Sequence, residues 1–208
     1  MSDTYADSPE RIETKSLDLI DSLLPSYGIA DDLFPLVRRV VHASADFSLA
    51  NLVAATCPLA DLAHTLAQGG PLFCDVSMVA SGISPALLDR TELKPLSLIH
   101  DERVARLSAR SGKTRAMAAV DLAVDEGVSL FAFGNAPTAL FRLLERAAQG
   151  APVRVVVAMP VGFVGAAESK ERLLASGLPS VVLRGPRGGS NLCAAAVNAL
   201  IRLALDLR

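Results

Sequence analysis

The sequence predicts an α/β fold: a single three-layer α/β/α domain with a mostly parallel central sheet and glycine-rich strand-to-helix loops. Three observations carry this expectation. From about residue 72 onward, short apolar runs alternate with helix-like segments. The run VRVVVAM (153–159) is too continuously apolar for a half-exposed strand and reads as one buried on both faces. Glycine-rich turns follow such runs and precede helices, as in GNAPT (134–138) and PVGFVG (160–165).

The elements follow in order. Residues 9–25 read as a helix with Ile12, Leu17, Leu19, Ile20, Leu23 and Leu24 on its apolar face, ended by Pro25 and Gly28. A second helix covers 31–44, with Leu33, Leu36, Val37, Val40 and Val41 inward. Helical sequence resumes at 58–67, and LFCD (72–75) is a short buried strand. Residues 96–112 give a strand or extended entry into a helix, and 114–126 give an Ala-rich helix. VSLFAF (128–133) is a strand and TALFRLLERAAQG a helix with a glycine stop. After the 153–159 strand come a helix at 166–177, a strand at 179–185 and a final helix over 191–207. Right-handed crossovers between parallel strands bring the loops after Asp75, Phe133, Met159 and Arg184 to one sheet edge.

At 208 residues the chain buries a full core as one domain spanning 1–208, with the first ten residues expected to fray. Apolar residues make up 51 %, a surplus that a doubly covered sheet, a large subunit interface, or both would absorb. A net charge of -2 and an aromatic content of 4 % argue against nucleic-acid binding. No apolar run reaches the roughly 20 residues of a membrane span, so no membrane insertion is expected. The polar start MSDTYADSPERIETK does not read as a signal peptide. Cys57, Cys74 and Cys193 form neither a disulfide framework nor a zinc pattern. A reducing cytoplasm fits, and no metal site is expected.

Five constellations suggest chemistry. In GNAPT, Gly134 permits close approach of a ligand, Asn135 could cap the helix, and free first-turn N–H groups with Thr138 could face an anion. The plain alternative is a tidy strand-to-helix turn. In the second, Pro160, Val161, Gly162, Phe163, Val164 and Gly165 form a loop too apolar to leave uncovered. Its cover is a large, partly apolar ligand or a neighbouring subunit, and Glu168 and Lys170 would orient loops rather than do chemistry. The third, GPRGGS (185–190), lacks both the dinucleotide and the P-loop pattern. Arg184 precedes it, Arg187 lies within it and Ser190 ends it before the next helix, which suits a carboxylate or phosphate unless it is a solvated basic loop. The fourth is His42, at a helix end behind Arg38 and Arg39, with the most protected setting of the three histidines. An imidazole there could give or accept a proton near neutral pH, or simply end a helix or line an interface. The fifth is Arg115, where a loop enters a helix. Arginines scattered over Arg38, Arg115, Arg184 and Arg187 fit a ligand with several separate carboxylates better than a single phosphate.

Together these segments resemble the precorrin-8X methylmutase family. The matching stretches are RRVVHASADF (38–47), LFCDVSMVASGI (72–83), KTRAMAAVDLA (113–123), GNAPTALFRLLE (134–145), MPVGFVGAAESKE (159–171), RGPRGGSN (184–191) and AAAVNAL (194–200), in order over residues 11–201. The resemblance implies an isomerase of cobalamin biosynthesis that shifts a ring methyl from C-11 to C-12. The reaction would convert precorrin-8X to hydrogenobyrinate, or cobalt-precorrin-8 to cobyrinate. It implies a homodimer with its site near the interface, a polycarboxylate tetrapyrrole substrate and no organic cofactor. It places the family's histidine on His42, as proton donor or hydrogen-bond partner to the macrocycle. Substrate contacts are expected at Arg39, Ser77 and Met78 as well as at the residues above.

The chain departs from the family pattern in two places. In SLDLIDSL (16–23), Leu17, Asp21 and Leu23 replace a phenylalanine, an arginine and a glutamate, and Pro186 stands where arginine is usual. These changes raise a second reading, a tetrapyrrole-binding carrier on the same scaffold. A third, an α/β enzyme acting on a small phosphorylated metabolite, is disfavoured by the missing phosphate loops.

Overall fold

The computed structural model describes residues 8–207. Six strands form one sheet: β1 (Val53–Ala55), β2 (Gly70–Cys74), β3 (Leu93–Leu96), β4 (Leu130–Phe133), β5 (Val155–Ala158) and β6 (Ser180–Leu183). Their order is β1-β6-β5-β4-β2-β3, parallel throughout except for β1, which runs antiparallel to β6. Every residue of β4, β5 and β6 is buried, which is why their sequences are continuous apolar runs.

Alternation along each strand divides the core into two layers. Leu130, Ala132, Val155 and Val157 face one side, packed with α1 (Pro9–Leu23), α2 (Phe34–Ser44), α3 (Leu59–Ala67), α4 (Ser77–Ser81), α5 (Pro85–Leu88) and α10 (Ser190–Ala204). Phe131, Phe133, Val156 and Ala158 face the other, under α6 (Glu102–Ser111), α7 (Arg115–Asp125), α8 (Pro137–Ala148) and α9 (Ala166–Ala175). The three-layer α/β/α architecture read from the sequence is the one observed.

Several local expectations need correction. Pro9 and Glu10 are helical rather than frayed, because the Ser8 side chain caps the Arg11 N–H; residues 1–7 lie outside the described residues. The first helix stops at Leu23 and continues as a 3₁₀ turn over Leu24–Tyr27, closed by Gly28 at φ 65°. Leu17, Ile20 and Leu24 are buried, whereas Ile12, Leu19 and Leu23 lie on the outer face. The strand expected at the start of 96–112 lies earlier, at Leu93–Leu96, because its pairing is with β2 from Gly70 onward. Strand β1 carries no periodicity in three residues; pairing with β6 alone makes it a strand.

Candidate active site at the strand exits

The parallel strands deliver their following loops to one edge, as expected. The loop after β2 meets the loop after β4 through Asp75. Its Oδ1 accepts the Gly134 N–H at 2.9 Å, and its Oδ2 accepts those of Asn135 and Ala136 at 2.8 and 2.6 Å. Asp75 is fully buried. Burial pushes its carboxyl upward, against the pull of the N–H groups of Gly134, Ala136, Asn135 and Val76. The amides of Gly134, Asn135 and Ala136 therefore hold a carboxylate of the chain itself and are not offered to a ligand. Asn135 does not cap α8 either; the cap position is Ala136, without a side-chain bond.

Gly134 is needed for proximity. A Cβ there would lie 2.7 Å from Ser190 Cα and 2.6 Å from Val79 Cγ2, so β4's exit packs directly on the starts of α4 and α10. Ser190 is accordingly buried, while Ser77 and Met78 at the start of α4 are exposed, Met78 at 71 %. Thr138 is exposed, and its hydroxyl lies 3.5 Å from that of Thr114, which caps α7. That contact brings Arg115, the next residue, to the same edge. Arg115 is exposed and has no partner among the described residues.

The 160–165 loop and the 185–189 loop are joined edge to edge. Gly162 N–H donates to Pro186 O at 3.0 Å, and Gly189 N–H donates to Met159 O at 2.8 Å. Gly188 presses on the same place, where a Cβ would come within 2.1 Å of Met159 O. Above this joint the apolar side chains stand in solvent, Phe163 at 100 %, Val164 at 88 % and Val161 at 43 % exposure. The described residues leave these three side chains open to whatever covers the loop.

Apart from Arg115, the expected arginines do not stand free. Arg184 makes a two-pronged pair with Glu171, and Arg187 pairs with Asp46 at 2.6 Å and with the Ser48 hydroxyl at 2.9 Å. Arg38 pairs with Asp21 at 2.7 Å, and Arg39 with Glu13. Asp21, a departure from the family pattern, thus holds Arg38 within the chain. Of the expected dispersed cations, the ones on α2 and after β6 would therefore have to exchange a carboxylate partner to bind an anionic ligand.

His42 is exposed, not protected. The buried stripe of α2 is Leu36, Val37, Val40 and Val41. Arg38, Arg39 and His42, three and four residues apart, share the other face. His42 Nδ1 lies 3.1 Å from Ser16 Oγ on α1, which fixes the ring and leaves its other nitrogen available. His42 and Arg39 line a cleft of ≈ 150 Å³ with Ser84, Leu87, Asn198 and Arg202. The adjoining cleft of ≈ 310 Å³ takes in Phe34, Arg38, Arg39 and Leu203. The Arg187–Asp46 pair links this end of α2 to the strand exits. His64 and His100 are exposed as well.

Asp75 went unassigned to any site, and Lys170 was expected only to orient loops. Lys170 is fully buried although it sits among charges in the sequence, and desolvation pulls its ammonium down to about 8. Its neighbours in sequence Glu168 and Glu171 are exposed. Asp75 had a signal, a lone carboxylate ending an apolar strand. The thiols of Cys74 and Cys193 are buried, Cys74 pushed up to about 12, which makes them poor nucleophiles.

Residues 11–203 match the family model described as precorrin-8X methylmutase. The cobalt-precorrin-8 methylmutase of Salmonella typhimurium is 42 % identical over 205 residues, covering 95 % of this chain and 96 % of that protein. The precorrin-8X methylmutase of Pseudomonas aeruginosa is 42 % identical over 180 residues, 83 % of this chain and 85 % of its own. A crystal structure of the precorrin-8X methyl mutase of Thermus thermophilus superposes with a TM-score of 0.88 at 34 % identity, covering 95 % and 97 % of the two chains.

Proposed function

Because this chain belongs to the precorrin-8X methylmutase family, we propose that it is the isomerase that moves the C-11 methyl group of its tetrapyrrole substrate to C-12 in cobalamin biosynthesis. Its substrate is precorrin-8X, giving hydrogenobyrinate, or cobalt-precorrin-8, giving cobyrinate. The observation that carries the site reading is the exposed Phe163–Val164 loop joined to the arginine-flanked loop at the strand exits. An apolar wall beside cations suits a flat ring with carboxylate arms.

A methyl shift within a conjugated ring needs no nucleophile and no net redox change. It needs the ring held in shape and its electron density drawn away as the methyl migrates. Phe163, Val164 and Met78 provide the apolar surface, with Pro160, Val161, Gly162 and Gly165 shaping the loop. Arg115, Arg184 and Arg187, with Arg38 and Arg39 on α2, take the peripheral carboxylates. Ser77, Thr138 and Asn135 supply neutral polar contacts, and Gly134 and Ser190 the close-packed floor beneath them. His42, oriented by Ser16, donates a proton or hydrogen bond to the macrocycle.

The apolar outer face of α1, with Ile12, Leu19 and Leu23 exposed at 47, 61 and 44 %, and the open 160–165 loop support a homodimer. Dimerisation would cover part of this surface and close the site; a monomer at all concentrations in sedimentation would overturn it. Three free cysteines, two of them buried, support a reducing cytoplasm as the compartment. The carrier reading gains no support, since the relatives above are named as methylmutases. Purified protein should convert one of the two substrates to its corrin, read as an absorbance change. Absence of turnover with both would overturn the assignment.

A further inference from the structure

Lys170 is the only buried cation among the described residues and has no carboxylate at its Nζ. Its neighbour Glu171 is committed to Arg184. Nζ instead donates to two backbone carbonyls, Pro160 O at 3.0 Å and Arg187 O at 2.8 Å. One carbonyl belongs to the apolar loop and the other to the basic loop. Holding an unpaired ammonium away from water is costly, and an apolar side chain of similar volume would fill the space more cheaply. The cost is accepted where two carbonyls must be held at a fixed separation, and no other side chain of the described residues bonds both loops.

We propose that Lys170 is a positioning residue for the substrate: from beneath, it sets the spacing between the apolar 160–165 loop and the arginine-bearing 185–189 loop, and so the fit of the ring and its carboxylate arms. The inference rests on the function proposed above. Lys170 is too deeply buried to touch the ring and acts through Phe163 and Arg187. The two backbone bonds between the loops, at Gly162 and Gly189, join their main chains near Met159 and Pro186. Lys170 adds the tie at Arg187 itself. Without it the basic loop pivots on those bonds and the cation loses its register with the apolar wall.

The test is Lys170→Met in the full-length protein, with Lys170→Gln and Lys170→Arg beside it. Readouts are the thermal midpoint, kcat and KM, and the affinity for the corrin product by absorbance titration. Wild-type turnover, measured first, decides the function independently of this inference. Lys170→Met should stay folded, with KM and the product dissociation constant raised about tenfold to 100-fold and kcat changed far less. Lys170→Arg, which keeps two donors, should recover part of the affinity. A folded Lys170→Met with wild-type KM and product affinity overturns the proposal. Should the methionine variant not fold, Lys170→Gln, too short to span both carbonyls, decides by the same criterion. Loss of the fold in both would assign Lys170 to stability alone and also overturn it.

Discussion

The guanidinium of Arg187 lies 2.6 Å from the carboxylate of Asp46, tying the loop after the last strand to the turn that follows the His42 helix. Asp46 is held ready by the Ser48 hydroxyl and backbone N–H, which with Arg187 keep its carboxyl below the usual range. In the proposed function, Asp46 is the partner that a substrate carboxylate would replace at Arg187.

From this pair, Arg187→Ala should weaken substrate binding about tenfold, the value of one charge-assisted contact. Asp46→Ala, which releases the guanidinium, should cost less. Steady-state KM for both variants is the check, and a wild-type KM in Arg187→Ala removes Arg187 from binding.

His42→Ala should lower kcat by at least about 10²-fold. The thermal midpoint should hold, because the ring is exposed and its one hydrogen-bond partner among the described residues is Ser16. Ser16→Ala, which frees the ring without removing it, should fall between wild type and His42→Ala. Near-normal turnover in His42→Ala would exclude the imidazole from the mechanism.

Asp75→Asn should destabilise the protein by about 2–4 kcal/mol. One carboxylate oxygen becomes an amide donor facing N–H groups, so at least one of the Gly134, Asn135 and Ala136 amides loses its acceptor. Urea unfolding measures this. Stability equal to wild type would mean that the turn does not depend on the carboxylate.

Lys170 also makes stability depend on pH. Its folded value of about 8 lies below the 10.5 of a free lysine. Between these values the unfolded chain binds the extra proton, so unfolding free energy rises with pH across that window. Below it the folded state carries the full cost of the buried ammonium, at most about 3 kcal/mol. The slope of stability against pH from 8 to 10.5 should therefore be steeper in wild type than in Lys170→Met. Equal slopes would mean that the ammonium is not perturbed by burial.

Much of the fold was legible in the residues. Continuous apolar runs such as VRVVVAM gave the buried strands, and alternation with helices gave the layers and the common exit edge. The strand β1 and the start of β3 were not legible, because their state comes from partners distant in sequence. At the site, the exposed Phe163 loop was legible because eight residues without a solubilising group cannot be ordinary surface. The sequence motifs also identified the family.

What the sequence determined by itself was the α/β class, the family and the loops that reach one sheet edge. Tertiary structure decided what those residues are free to do. It turned the GNAPT amides inward to Asp75, paired Arg38, Arg184 and Arg187 with carboxylates, exposed His42 and buried Lys170 under two loops. Backbone pattern is a local property, set by side-chain period and turn residues. The partner of a charge is not, since a carboxylate 141 residues away in the chain can be the nearest one in space.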